Sequence, residues 1–134
     1  MLSLAVRLLY AALAAITVAV GLAVHYTTAG LAPAARDVVG DALWAMMIFW
    51  ISGIFNPRAR VASRAAAAVA VCFAVEASQL LETKWLIAVR NTTPGHLVLG
   101  NGFDPRDLVA YFAGVAVAAI GELAVRDRRR GRNA

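Results

Sequence analysis

Long apolar runs separated by short polar segments dominate this chain. The first run extends from Leu8 to Val24, and later runs occupy 38–55, 61–81 and 107–125. About 20 consecutive apolar residues allow a helix to cross a bilayer. The pattern therefore predicts an all-α membrane protein of one domain, with transmembrane helices at approximately 8–25, 38–55, 61–81 and 107–125. The first run is longer than the ~7–15 apolar residues of a signal peptide, so a retained span is favoured over a cleaved one.

Polar residues at the ends of the runs predict where the helices begin. Asp37 is expected to be the N-cap of the second helix. At the fourth helix, Asp104 suits the N-cap, Pro105 the first helical position and Asp107 the first turn, where an acid complements the helix dipole. Gly114 and Gly121 in this helix have spacing that suits close helix packing.

The segment between the third and fourth spans combines an apolar pentapeptide, 85–89, with a glycine-rich stretch. The helical spacing of Trp85, Leu86 and Val89, flanked by Lys84 and Arg90, predicts a short amphipathic helix in the membrane interface, with Trp85 at head-group depth. We expect 94–103 to be a loop, with a permissive turn at Leu99-Gly100-Asn101-Gly102.

Composition agrees with a membrane protein: 61% of the residues are hydrophobic and 16% are charged, against about 45–50% and 25% in soluble domains. The net charge of +5 does not indicate nucleic acid, because the basic residues flank apolar runs and no soluble basic domain is present. Cys72 is the only cysteine, which excludes an internal disulfide and a cysteine metal site. The many alanines, and arginine in place of lysine, are typical of a GC-rich bacterial host.

The distribution of basic residues predicts the orientation in a bacterial inner membrane. With both termini in the cytoplasm, nine basic residues are inside and four are outside. The inner ones are Arg7, Arg58, Arg60, Arg64 and five arginines of the basic tail 126–134, and the outer ones are Arg36, Lys84, Arg90 and Arg106. The positive-inside rule favours this orientation. Arg64 is expected to extend back toward the cytoplasmic loop.

This orientation gathers polar residues at the outer ends of three spans. We predict a polar site formed by six residues: Asp41, Glu76, Gln79, Arg90, His96 and Asp107. Asp41 can alternatively be explained by the helix dipole alone. No zinc motif, phosphate loop or nucleophile elbow is present, so neither a metal nor a cofactor is expected.

Glu76 is the centre of the predicted site, and Gln79 lies on the same helical face. Three roles remain open for this carboxylate: a structural ion pair with Arg90, an acid or base that retains its proton, or a ligand for a cation or lipid head group. We expect Glu76, Arg90 and Asp107 to meet, because a planar guanidinium can bridge two carboxylates.

Several motifs taken in order resemble a known family. They are Gly40-Asp41-Ala42-Leu43-Trp44-Ala45, Glu76-Ala77-Ser78-Gln79-Leu80, Trp85-Leu86 with Arg90, His96-Leu97-Val98-Leu99-Gly100, and Asp107-Leu108 with Tyr111 and Gly114. From Gly21 to Gly114 the chain resembles the bacterial membrane family called domain of unknown function 2809. The resemblance implies a multi-pass membrane protein and no assigned activity. This family commonly has arginine at the positions of His25 and His96, which disfavours a catalytic role for either histidine.

A shorter similarity is to the VanZ-like membrane proteins, which are associated with glycopeptide-antibiotic resistance. It rests on Glu76, Gln79, Arg90, Asp107, Leu108 and Gly114.

Two function classes remain. The favoured one is a non-enzymatic membrane protein whose outward-facing polar pocket binds membrane lipid or a lipid-linked cell-envelope component. The alternative is a small membrane enzyme acting on a lipid-linked envelope substrate. The absence of a nucleophile or metal motif favours the first. Transport ranks third, since four spans are few and no broken-helix pair is visible.

Overall fold

Helices form almost all of the chain that the structure, a computed structural model, describes: residues 2–27, 30, 32–99 and 102–132. In order they are α1 (Leu2–Thr27), α2 (Pro33–Phe55), α3 (Val61–Ser78), α4 (Lys84–Arg90), α5 (Thr93–Leu99) and α6 (Pro105–Gly131). Four of them, α1, α2, α3 and α6, are long and apolar enough to cross a membrane. The predicted all-α fold with four transmembrane helices is confirmed, and the protein is a multi-pass membrane protein.

The central element of the bundle is α2, which packs against α1, α3 and α6, while α3 also packs against α6. Ala45 and Phe49 of α2 are completely buried, and they meet Cys72 of α3 and Val115 of α6 in the core. Cys72 is therefore a small packing residue. Gly114 allows α6 to approach α2 closely, because a Cβ there would lie 2.0 Å from the carbonyl oxygen of Ala42.

Two predicted helix starts have different outcomes. Asp104 is the N-cap of α6, as predicted, and its carboxylate accepts a hydrogen bond from the backbone N–H of Arg106 at 2.9 Å. The prediction for Asp37 is wrong, since α2 already begins at Pro33. A proline at the first helical position, followed by two alanines, explains the earlier start.

One predicted helix end is also wrong. Ser78 ends α3 three residues before the predicted Leu81. Arg90 donates hydrogen bonds to the carbonyl oxygens of Ser78 and Leu81, so these end carbonyls are satisfied without a further helical turn. The tail expected from residue 126 is helical as far as Gly131. Arginine is a good helix former, and a cationic last turn suits the dipole of α6.

The predicted short helix before the last span is present as α4, and a second one, α5, occupies the segment predicted as a loop. Thr92 stabilises the start of α5, because its hydroxyl accepts a hydrogen bond from the N–H of Gly95 at 3.1 Å. A Cβ at Gly95 would lie 1.8 Å from the carbonyl oxygen of Val89. Glycine is thus needed here for close approach of α4 and α5. Gly100 and Asn101 of the predicted turn lie outside the described residues.

Candidate functional site

A cleft of about 800 Å³ lies between α1, α2 and α6, and α5 contributes to its lining. One part of its wall is apolar and comes mainly from α1 and α2, with Leu22, Trp44 and Met47 among the residues. The other part is polar, and its members come from five helices and the segments next to them: His25, Arg36, Asp37, Asp41, Gln79, His96, Asp104, Asp107 and Tyr111. The cleft is therefore amphipathic.

Of the six residues predicted for a polar site, four line this cleft. They are Asp41, Gln79, His96 and Asp107. The carboxyl groups of Asp41 and Asp107 interact with each other, so α2 and α6 present a pair of acids. His96 is exposed and reaches the cleft from α5. The side chains that could accept hydrogen bonds from a bound molecule are concentrated at this end.

Glu76 is completely buried just behind the polar part of the cleft. Its Oε1 accepts the backbone N–H of Asp104 at 2.8 Å, and its Oε2 accepts the hydroxyl of Tyr111 at 3.2 Å and the amide of Gln79 at 3.1 Å. The carboxylate thereby ties α3 to the N-terminal part of α6. Gln79 and Tyr111, which contact it, also line the cleft. Glu76 thus orients two cleft side chains and does not line the cleft itself.

Arg90 does not make the predicted bridge between carboxylates. It is buried, and the hydrogen bonds that it donates go to the carbonyl oxygens of Leu81, at 3.2 Å, and Ser78. The prediction is wrong because the guanidinium of Arg90 is taken by carbonyl oxygens at and just after the early end of α3. Arg90 thus links α4 to the C-terminal end of α3.

Sequence reasoning missed a second polar cluster at the other end of the bundle, formed by Tyr10, Arg64, Glu122 and Arg126. Arg64 is only 2% exposed, so it does not extend back to the loop as predicted. It forms an ion pair with Glu122, and its guanidinium lies 4.7 Å from the ring centre of Tyr10 and 4.8 Å from that of Phe49. An acid such as Glu122 inside an apolar run is a signal that could have revealed this cluster.

No group of three or more His, Cys, Asp or Glu side chains is arranged to hold a metal ion in the part of the chain that was described. The chemistry available in the cleft is that of carboxyl, imidazole, amide and phenol groups beside an apolar wall.

Comparison with known proteins decides the family. The sequence profile of a protein family of unknown function, DUF2809, matches residues 30–115. The chain belongs to this family. The DUF2809 match covers most of the chain, from the start of α2 into α6, and includes all six residues predicted for the polar site. The predicted resemblance is thereby confirmed. No solved structure matches the chain.

Proposed function

We propose that this DUF2809 protein binds an amphipathic envelope molecule, a membrane lipid or a lipid-linked cell-envelope component, in the cleft between α1, α2 and α6. The observation that carries the proposal is the division of one cleft into an apolar wall and a polar end. Its volume of about 800 Å³ falls within the ~300–1,000 Å³ usual for ligand sites.

The two parts of the cleft suit the two parts of such a molecule. Leu22, Trp44 and Met47 offer an apolar surface for an aliphatic chain. Asp41 and Asp107 offer hydrogen-bond acceptors at membrane depth, where polar side chains are costly unless they are paired. A head group that supplies hydrogen-bond donors would satisfy them.

The proposed location is the inner membrane of a bacterium, with both termini cytoplasmic and the polar end of the cleft toward the outer surface. The nine-to-four distribution of basic residues supports this orientation. Tyr10, near the start of α1, donates a hydrogen bond to Glu122, near the end of α6. This contact supports a location of both termini on the same side of the membrane.

Native mass spectrometry of the purified protein tests the proposal, with Gly40→Leu as the variant. Gly40 lines the cleft and a Cβ there meets nothing within 4 Å, so a larger side chain would fill the cleft without a clash at its first atom. Gly121→Leu is the matched control, since Gly121 also has open space but does not line the cleft. We expect wild type and Gly121→Leu to retain a lipid or lipid-linked molecule and Gly40→Leu to lose it. Equal retention by all three would contradict binding in this cleft.

The pair formed by Asp41 and Asp107 favours a second candidate function, an enzyme acting on a lipid-linked envelope substrate. Two adjacent carboxyl groups can exchange a proton with a bound molecule, which is the requirement for general acid–base catalysis. If this candidate is correct, Asp107→Asn should retain a molecule whose mass differs from the one that wild type retains, because substrate would replace product. Identical bound masses in both proteins would speak for binding alone.

A further inference from the structure

We propose that α1 is a movable wall of the cleft, and that Tyr10, Glu122 and Arg126 form a polar latch that holds one end of α1 to α6. Release of the latch would widen the gap between α1 and α6 and open the cleft sideways to the bilayer. The use of this opening for lipid access rests on the proposed function, whereas the motion itself does not.

The packing of α1 is one-sided. Within the described residues, α2 is the only helix whose Cα atoms come within 8 Å of those of α1. Among the residues of α1 whose burial is described, only Tyr10, Ala14 and Thr17 are buried, and none that follows Thr17 is. The part of α1 from Thr17 onward lines the cleft, through residues such as Val18 and Leu22. Within the described residues, α2 is therefore the only helix that packs closely against the backbone of this part of α1.

Long side chains join α1 to α6 where the two backbones stay apart. The hydroxyl of Tyr10 donates to Glu122 Oε1 at 2.8 Å and accepts a hydrogen bond from Arg126 Nη2 at 3.3 Å. Arg126 and Glu122 also form an ion pair at 2.7 Å. These bonds lie about two turns before Thr17, where α1 begins to line the cleft. The latch is thus at the closed end of the gap between α1 and α6.

The latch can open without dismantling the bundle. Glu122 keeps its ion pair with Arg64 when the hydroxyl of Tyr10 leaves. Arg126 is 43% exposed and can be hydrated in the absence of Tyr10. The ring of Tyr10 stacks on Trp50 of α2 with 6.2 Å between ring centres, and this contact does not depend on the hydroxyl. The attachment of α1 to α2 is therefore separate from its attachment to α6.

Tyr10→Phe tests the latch, because it removes the hydroxyl and keeps the ring. Spin labels are attached at Leu22→Cys on α1 and Val109→Cys on α6 in a Cys72→Ala background. Pulsed electron–electron double resonance in lipid nanodiscs then reports the distance across the gap. Both labelled side chains are exposed, at 41% and 71%. Tyr26→Phe is the matched control, since Tyr26 is also on α1 but is 70% exposed and outside the latch.

We expect Tyr10→Phe to increase the population at longer distances by about threefold, the effect of one typical hydrogen bond between membrane helices. Tyr26→Phe should reproduce the wild-type distances. Identical distance distributions for Tyr10→Phe and wild type would overturn the latch. A larger population at long label distances in Tyr10→Phe, found in a protein that retains no lipid, would support the latch and contradict the proposed function. The failures of the two proposals are therefore distinguishable.

Discussion

Arg64 and Glu122 form an ion pair between α3 and α6, although they are 58 positions apart in the chain and both side chains are at least nine-tenths buried. Neither charge could remain unpaired at this depth without a large penalty. The pair also explains Gly53 of α2, because a Cβ there would lie 2.5 Å from Arg64 Nη1. One ion pair thus fixes the packing of three spans at this end of the bundle.

Removing one partner of this pair should be more harmful than removing both. We expect Glu122→Leu alone to lower the free energy of unfolding by about 3 kcal/mol or more, since it leaves the charge of Arg64 buried without a partner. Arg64→Met alone should cost less, since Glu122 keeps its ion pair with Arg126. The double variant should recover at least half of the summed loss. Equilibrium unfolding in mixed detergent micelles measures these values. Asp127→Asn, on the exposed last turns of α6, should be near wild type. Strictly additive losses for the pair would contradict the account.

Two glycines in the interior of α6, Gly114 and Gly121, should respond in opposite ways to alanine. Gly114→Ala places a Cβ against the backbone of Ala42, so we expect severe destabilisation or loss of folded protein. Gly121→Ala meets open space and should stabilise by up to about 1 kcal/mol, since alanine is the better helix former. The prediction from sequence that both glycines serve close packing is right for Gly114 only. Comparable melting temperatures for the two variants would contradict the α2–α6 contact.

Glu76 and Arg90 should contribute independently to stability, because they share no hydrogen-bond partner. Glu76→Gln disturbs three bonds that a carboxylate accepts, and we expect a loss of about 1–3 kcal/mol. Arg90→Gln removes the link between α4 and the end of α3 at a comparable cost. The double variant should lose the sum within about 0.5 kcal/mol. A coupling energy well above that value would instead indicate the direct ion pair that the sequence suggested.

Local patterns were sufficient to predict the four spans, the helix α4 and the N-cap Asp104. Each of these depends on residues that are neighbours in sequence. Helix α5 could not be predicted, because Pro94 and Gly95 are ordinarily loop residues and only the approach of Val89 explains the glycine. The inward orientation of Arg64 depends on Glu122, which lies on another helix. Such pairings require the tertiary structure.

The proposed orientation predicts opposite labelling of two loops. Asn56 follows α2 and Asn91 follows α4, and both are exposed. In a Cys72→Ala background, Asn91→Cys should react with a membrane-impermeant maleimide in intact cells, and Asn56→Cys should react only after permeabilisation. Labelling of Asn56→Cys alone in intact cells would show that the orientation is the opposite of the proposed one. Equal labelling of both variants would contradict a location of the two loops on opposite sides of the membrane.

Quenching of Trp44 by a brominated lipid tests most directly whether an amphipathic molecule occupies the cleft. Trp44 lines the cleft, and replacing Trp50 and Trp85 by Phe makes it the only tryptophan. In unbrominated detergent, the account predicts quenching that saturates as lipid is added and that Gly40→Leu largely abolishes, while Gly121→Leu leaves it intact. Equal quenching in the Gly40→Leu and Gly121→Leu proteins would contradict the account.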